Sequence, residues 1–211
     1  MTATLDQIIE AASVIPVLAV DEISDAVPLA KALAAGGLKV IELTLRTPIA
    51  LDAMKAMQDA APDLIVGMGT VTTPKQAEDS AGAGAAFLVS PGLTPDLSAA
   101  MLAAGAPCLP GVATAGEAMA ATQAGFQVLK FFPAEPAGGI GYLKALAGPL
   151  PSVRFCPTGG IAKDRAADYL ALNNVVCCGG SWIAPKAAVK SGDWDQITRN
   201  AAFAASLKAS S

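Results

Sequence analysis

The sequence predicts an α/β protein, a single-domain (β/α)8 TIM barrel with a short N-terminal helix. Three observations carry that expectation. Short apolar runs alternate with helix-period segments eight times along the 211 residues; such alternation implies a parallel sheet, and eight units imply a closed barrel. Hydrophobic residues make up 53% of the chain and charged residues 15%, which suits strands covered on both faces. No linker or shift of composition divides the chain, so residues 1–211 read as one domain. A doubly wound open sheet is the alternative.

Met1 to Ala12 is expected to be a short helix, because Leu5, Ile8, Ile9 and Ala12 share a face. Ile15 to Val20 is the first strand, and a helix from Ser24 is stopped by Gly36-Gly37. Val40 to Leu45 is the second strand. Pro48 suits the first turn of the helix that follows to Ala60. Leu64 to Gly69 and Ala85 to Val89 are strands, with helices at Pro74 to Ala81 and at Pro95 to Ala104, the latter capped by Thr94. Pro107 to Val112 is the fifth strand and Thr114 to Ala124 its helix. Val128 to Phe132 is the sixth strand, before a glycine-rich turn and a helix near Gly141 to Leu146. Val153 to Pro157 and Val175 to Cys178 complete the strands. Lys163 to Ala171 is helical, as is the tail from Lys186 to Lys208 except at Gly192. The stretch Gly82-Ala83-Gly84 imitates a dinucleotide fingerprint, but it lacks a third glycine and precedes a strand.

Composition removes several functions. The net charge is −4 with no basic run, which argues against nucleic acid. The longest uncharged run, Leu97 to Gly116, is broken by Gly105, Pro107, Pro110 and Gly111, so no membrane span is expected. Met1 to Glu10 lacks the basic start of a signal peptide. Cys108, Cys156, Cys177 and Cys178 form no CxxC pair and read as small buried hydrophobes in a reducing cytoplasm. Histidine is absent. That removes the usual general base and the commonest zinc ligand, so no metal or other cofactor is expected.

The chemistry centres on Val128-Leu129-Lys130-Phe131-Phe132-Pro133-Ala134-Glu135. Burial disfavours the charged form of a lysine, and a neutral amine is the nucleophile for Schiff-base formation with a carbonyl. The plain alternative is a lysine whose head reaches solvent at a strand end. On the second strand, Val40, Glu42, Thr44 and Arg46 fall on one face by the period-two rule, and Ile41, Leu43 and Leu45 on the other. Glu42 and Arg46 then point into the barrel or its mouth, as Lys130 does from the sixth strand. A structural ion pair is the alternative for Glu42 and Arg46. Arg154, at the start of its strand, reads as structural at the barrel floor. Gly159-Gly160 and Gly179-Gly180-Ser181 end the last two strands, where barrels commonly hold phosphate through backbone N–H groups.

Six ordered blocks bear a resemblance. They are Glu42-Leu43-Thr44-Leu45-Arg46-Thr47, Gly67-Met68-Gly69-Thr70-Val71, Ser90-Pro91-Gly92, Lys130 to Glu135, Arg154 to Gly160, and Gly179-Gly180-Ser181-Trp182. Together they resemble the signature of the 2-keto-3-deoxy-6-phosphogluconate (KDPG) aldolase family, and they are similar to enzymes that cleave 4-hydroxy-2-oxoglutarate (KHG). The resemblance implies a class I aldolase, usually a homotrimer, acting on a phosphorylated keto-sugar acid to release pyruvate. It implies that Lys130 is the Schiff-base lysine and Glu42 the acid–base residue. It places Arg46 and Thr70 at the pyruvate carboxylate, Pro91 and Phe132 along the pyruvate pocket, and Gly159, Gly160, Gly180 and Ser181 at the phosphate. Two readings compete: a metal-dependent aldolase or decarboxylase with an all-oxygen site, and a silent phosphate-binding barrel whose Lys130 and Glu42 form only an ion pair.

Overall fold

The computed structural model describes residues 4–207. The ends of the first and last expected helices, 1–3 and Lys208 onward, lie outside them. Strands and helices alternate along the chain, and every strand pairing is parallel. The strands are β1 (Val14–Leu18), β2 (Val40–Thr44), β3 (Ile65–Gly69), β4 (Leu88–Val89), β5 (Cys108–Leu109), β6 (Gly111–Val112), β7 (Val128–Phe131), β8 (Arg154–Pro157) and β9 (Cys178–Gly180). They form a six-stranded sheet in the order β5-β4-β3-β2-β1-β9 and a three-stranded sheet in the order β6-β7-β8. Single bridges, Phe155 to Val175 and Thr158 to Gly179, link the far edges. At the other junction only Pro110 separates β5 from β6. Proline has no N–H to give a ladder, so the expected fifth strand is written as two short ones; its carbonyl still accepts from the Lys130 N–H at 2.8 Å.

The period-two reading of the strands holds in the packing. Ile41 and Leu43 of β2, and Leu129 and Phe131 of β7, belong to a large apolar cluster shared with the helices. Val40 and Val128 belong to a smaller inner cluster with Ile15, Phe87, Val89, Leu109, Cys156 and Cys177. The helix α1 (Leu5–Glu10) closes this inner cluster, contributing Ile8 and Ile9. Arg154 sits at that end, bonded to Asp6 of α1 at 3.0 Å, so its structural reading stands.

Among the described residues, four helices start on a threonine side-chain cap. Thr4 and Thr73, and Thr114 as well, each accept from the third residue on, and that residue's Gln or Glu side chain returns the bond; Thr94 accepts without the return. The T-x-x-Q/E spacing was readable in the sequence, yet only Thr94 was expected. Several boundaries differ from expectation: β1 is Val14–Leu18, not Ile15 to Val20, and β4 is only Leu88–Val89, not from Ala85. The helix after β2 is Ala50–Ala60, not from Pro48: the Thr47 hydroxyl donates to the Val20 carbonyl at 2.9 Å and holds the preceding residues as a turn. β9 lies later than Val175 to Cys178. Its glycines are strand rather than loop, because a side chain at Gly179 would overlap Thr158 of the adjacent chain segment. Among the described residues no helix is long and apolar enough to cross a membrane.

Candidate active site

Parallel strands bring their C-terminal ends together, and the site is built there. Lys130 comes from β7, between Val128 and Phe132, and Glu42 from the middle of β2. The Lys130 Nζ donates to Glu42 Oε1 at 3.1 Å, with Oε2 at 3.5 Å. Their side chains are only 6% and 5% exposed. The residues are 88 apart in sequence, so only the inward face of a curled sheet explains the contact. A buried charge is normally paired. Two features make this pair more than a filler. The Phe132 ring lies 5.4 Å from the Lys130 Nζ, and the space beside the carboxylate is kept open by Gly69, where any Cβ would overlap Glu42. No local pattern in the sequence says that Gly69 has a carboxylate for a neighbour.

The other expected residues sit at the same ends of the strands. Thr70 follows β3 directly and is the only non-glycine with positive φ among the described residues, at 60°. That conformation is costly for a β-branched side chain. Pro91 lies two residues past β4 and is packed by its backbone against Gly111, where a side chain would overlap it. Phe132 is half-buried, and the bond from it to Pro133 is cis. Gly159 and Gly160 have φ of 104° and 80°, a region that favours glycine. A Cβ on Gly159 would stand 3.2 Å from the Phe132 ring, which ties this loop to the lysine's strand. Gly180 ends β9, and the exposed Ser181 opens the short turn after it.

Arg46 lies just past the end of β2. The ladder to β3 ends at Thr44 opposite Gly69, so Arg46 stands in the turn beyond, exposed. It makes no ion pair among the described residues; Glu42 pairs with Lys130 instead. The lysine and carboxylate therefore converge as expected, and the arginine waits at the rim. Concavity alone points elsewhere. A groove of about 640 Å³ lies between α1 and the chain end, lined by Glu10, Lys39 and Arg154. It is at the opposite end of the strands from Lys130. The chemistry, not the volume, identifies the site.

No group of three His, Cys, Asp or Glu side chains is placed to hold a metal ion among the described residues. The four cysteines are free and buried. Burial pushes the Cys108 thiol up to about 12 from 9.0 and raises Cys178 as well. A hydrogen bond with Cys156, then burial, holds Cys177 well above its ordinary value. Thiols kept protonated in this way pack as inert apolar groups.

A buried amine in contact with a carboxylate, at the C-terminal ends of parallel strands, defines an α/β enzyme equipped for carbonyl chemistry. Comparison with known proteins makes the assignment specific. The family model for KDPG and KHG aldolases matches residues 5–200. A 2-dehydro-3-deoxy-phosphogluconate aldolase of Dickeya dadantii (strain 3937) is 49% identical over 193 residues, 92% of this chain and 91% of that protein. A solved structure of KDPG aldolase from Legionella pneumophila, with pyruvate captured at low pH as a covalent carbinolamine intermediate, has a TM-score of 0.90 at 47% identity, covering 93% of this chain and 95% of the other. The 2-keto-3-deoxy-6-phosphogluconate aldolase of Zymomonas mobilis ZM4, solved with 3-phosphoglycerate, has a TM-score of 0.92 at 45% identity, covering 97% and 96%. The chain belongs to the KDPG and KHG aldolase family.

Proposed function

We propose that the protein cleaves 2-dehydro-3-deoxy-6-phospho-D-gluconate to pyruvate and D-glyceraldehyde 3-phosphate through a Schiff base on Lys130, the aldolase step of the Entner–Doudoroff pathway. The observation that carries this reading is the 3.1 Å contact between the nearly buried Lys130 amine and the Glu42 carboxylate. The covalent pyruvate of the Legionella relative supports it.

The steps follow from that geometry. Glu42 takes a proton from the ammonium, and the free amine attacks the C2 ketone. The carbinolamine loses water as Glu42 returns a proton, giving an iminium. When C3–C4 breaks, its electron pair moves into the iminium to form an enamine. The C4 hydroxyl proton passes to Glu42 and the aldehyde leaves. Protonation of the enamine at C3 and hydrolysis then release pyruvate and the amine. Arg46 orients the substrate carboxylate with a bidentate contact, helped by Thr70. Pro91 and Phe132 line the pyruvate pocket. Gly159, Gly160, Gly180 and Ser181 receive the phosphate; the positive φ of the first two supports close backbone approach.

Two larger-scale features belong to the same proposal. Residues 1–211 act as one domain, and the two sheets act as a closed eight-unit barrel; the bridges at Phe155 and Thr158 support closure on one side, and the one-residue gap at Pro110 on the other. The working form is a cytoplasmic homotrimer, an assembly that sedimentation of the purified protein measures directly.

Borohydride reduction with pyruvate tests the chemistry. Lys130→Ala is expected to abolish covalent trapping. Glu42→Gln is expected to slow turnover by roughly 10²–10⁴, the worth of a positioned acid–base group, while trapping persists. Trapping at a different lysine would refute the assignment. Full activity in EDTA separates this mechanism from a metal-dependent one. Comparing kcat/KM for phosphogluconate-type, phosphogalactonate-type and hydroxyoxoglutarate substrates fixes the preferred aldehyde.

A further inference from the structure

Tyr169 is fully buried in the helix Ala166–Leu170. Its hydroxyl donates to Glu135 Oε1 at 2.7 Å. Glu135 lies in the loop after β7, five residues beyond Lys130. The same residue is bound to the loop after β8: its N–H donates to the Gly159 carbonyl at 3.0 Å, and the neighbouring Ala134 N–H donates to Thr158 at 2.8 Å. A Cβ on Gly160 would stand 2.9 Å from the Glu135 Cβ, so the Gly160 backbone lies flat on that side chain. Glu135 Oε2 faces Gly139, the first residue of the helix Gly139–Ala147, where a Cβ would be 3.0 Å from the Tyr169 hydroxyl and 3.4 Å from Oε2. Three segments thus meet on one hydrogen bond.

We propose that the Tyr169–Glu135 hydrogen bond positions the Gly159–Gly160 loop and so sets the preference for a phosphorylated substrate. The proposal rests on the reading of that loop as the phosphate end. Tyr169 holds one oxygen of the Glu135 carboxylate, and the other lies beside the first residue of the helix Gly139–Ala147, a helix end that favours negative charge. Burial, then the bond to Glu135, pushes the Tyr169 hydroxyl's ionisation upward, so it remains a donor. Tyr169 and Glu135 are positioning residues and touch no reacting atom.

The full-length protein tests this with Tyr169→Phe, Glu135→Ala and Glu135→Gln, each assayed on the phosphorylated substrate and on 4-hydroxy-2-oxoglutarate. Tyr169→Phe is expected to raise KM for the phosphorylated substrate about tenfold, equivalent to about 1.4 kcal/mol. Pyruvate trapping and kcat/KM on the short substrate should stay within about twofold. Glu135→Ala should match it, the double variant should be no worse than either single one, and Glu135→Gln, which keeps an acceptor, should restore the low KM. Equal losses on both substrates, or no change on either, would overturn the proposal. If Tyr169→Phe melts early, the Glu135 pair carries the same comparison. Ser181→Ala separates the two levels. If it leaves the phosphate preference intact, the phosphate end itself is misplaced. If it lowers the preference while Tyr169→Phe and Glu135→Ala do not, only the positioning role fails.

Discussion

Gly69 shows how much a single missing side chain decides. Its Cα lies against the Glu42 carboxylate, and any Cβ there would overlap it. Gly69→Ala is therefore expected to push the carboxylate off the lysine. Turnover should fall about as far as in Glu42→Gln, by roughly 10²–10⁴, although Gly69 has no reactive atom. Single-turnover kinetics with an intact melting transition would separate this from unfolding. Thr70 makes the opposite point. Its left-handed backbone costs about 1–3 kcal/mol, so Thr70→Gly should melt no earlier than the parent. The concentration of pyruvate needed for trapping should rise because the hydroxyl is gone. An unchanged pyruvate dependence would remove Thr70 from the site. The clearance that Gly69 provides was not legible from its neighbours in sequence, whereas the motif around Thr70 pointed to its place and only the backbone strain there was hidden. Glu42 and Lys130 were legible, since each is a charged residue on the inward face of an otherwise apolar strand.

Among the elements, α1 has the least obvious task. It closes the inner cluster with Ile8 and Ile9 and is tied outside by Asp6 to Arg154. Magnitudes decide which contact matters. The ion pair is 39% and 62% exposed, and exposed pairs contribute about 0–1 kcal/mol. Ile8 is 1% exposed, and truncating a buried isoleucine costs about 2–5 kcal/mol. Urea titrations should show a large loss for Ile8→Ala and almost none for Asp6→Ala; the reverse order would mean that α1 is held by charge. The strands were legible because β-branched runs have few other uses. Their ends were not. β2 stopped one residue short of Leu45 and β9 slid along the chain because ladder ends depend on which residues stand opposite. Thr44 faces Gly69, and Thr158 fills the place a side chain on Gly179 would need.

At the scale of the whole molecule, the interior is expected to lose stability in alkali. The Cys108 thiol, raised by burial to about 12 from 9.0, donates to the Met101 and Ala106 carbonyls, both at 3.2 Å. Cys177, Cys178 and Tyr169 are raised too. A group raised in the folded state stays protonated there while the unfolded chain ionises first. Its stabilising effect is whole below the unfolded value and is lost as pH climbs toward the folded one. Unfolding free energy should therefore decline from about pH 9 upward, and Cys108→Ala should flatten part of that decline. A decline of the same steepness in that variant would place the sensitivity elsewhere.

The sequence by itself determined the alternation of strands and helices and which face of each strand is apolar. It also determined that an amine and a carboxylate would look inward. Those properties follow from local periodicity and from the cost of burying charge, and both act within a few residues. Only the tertiary structure decided that Glu42 pairs with Lys130 and not with Arg46, that Gly69 clears the carboxylate, and that Tyr169 braces the loop beyond Lys130. Each of these is a contact between segments far apart in the chain. Its geometry is set by how parallel strands curl together, and no local pattern encodes that.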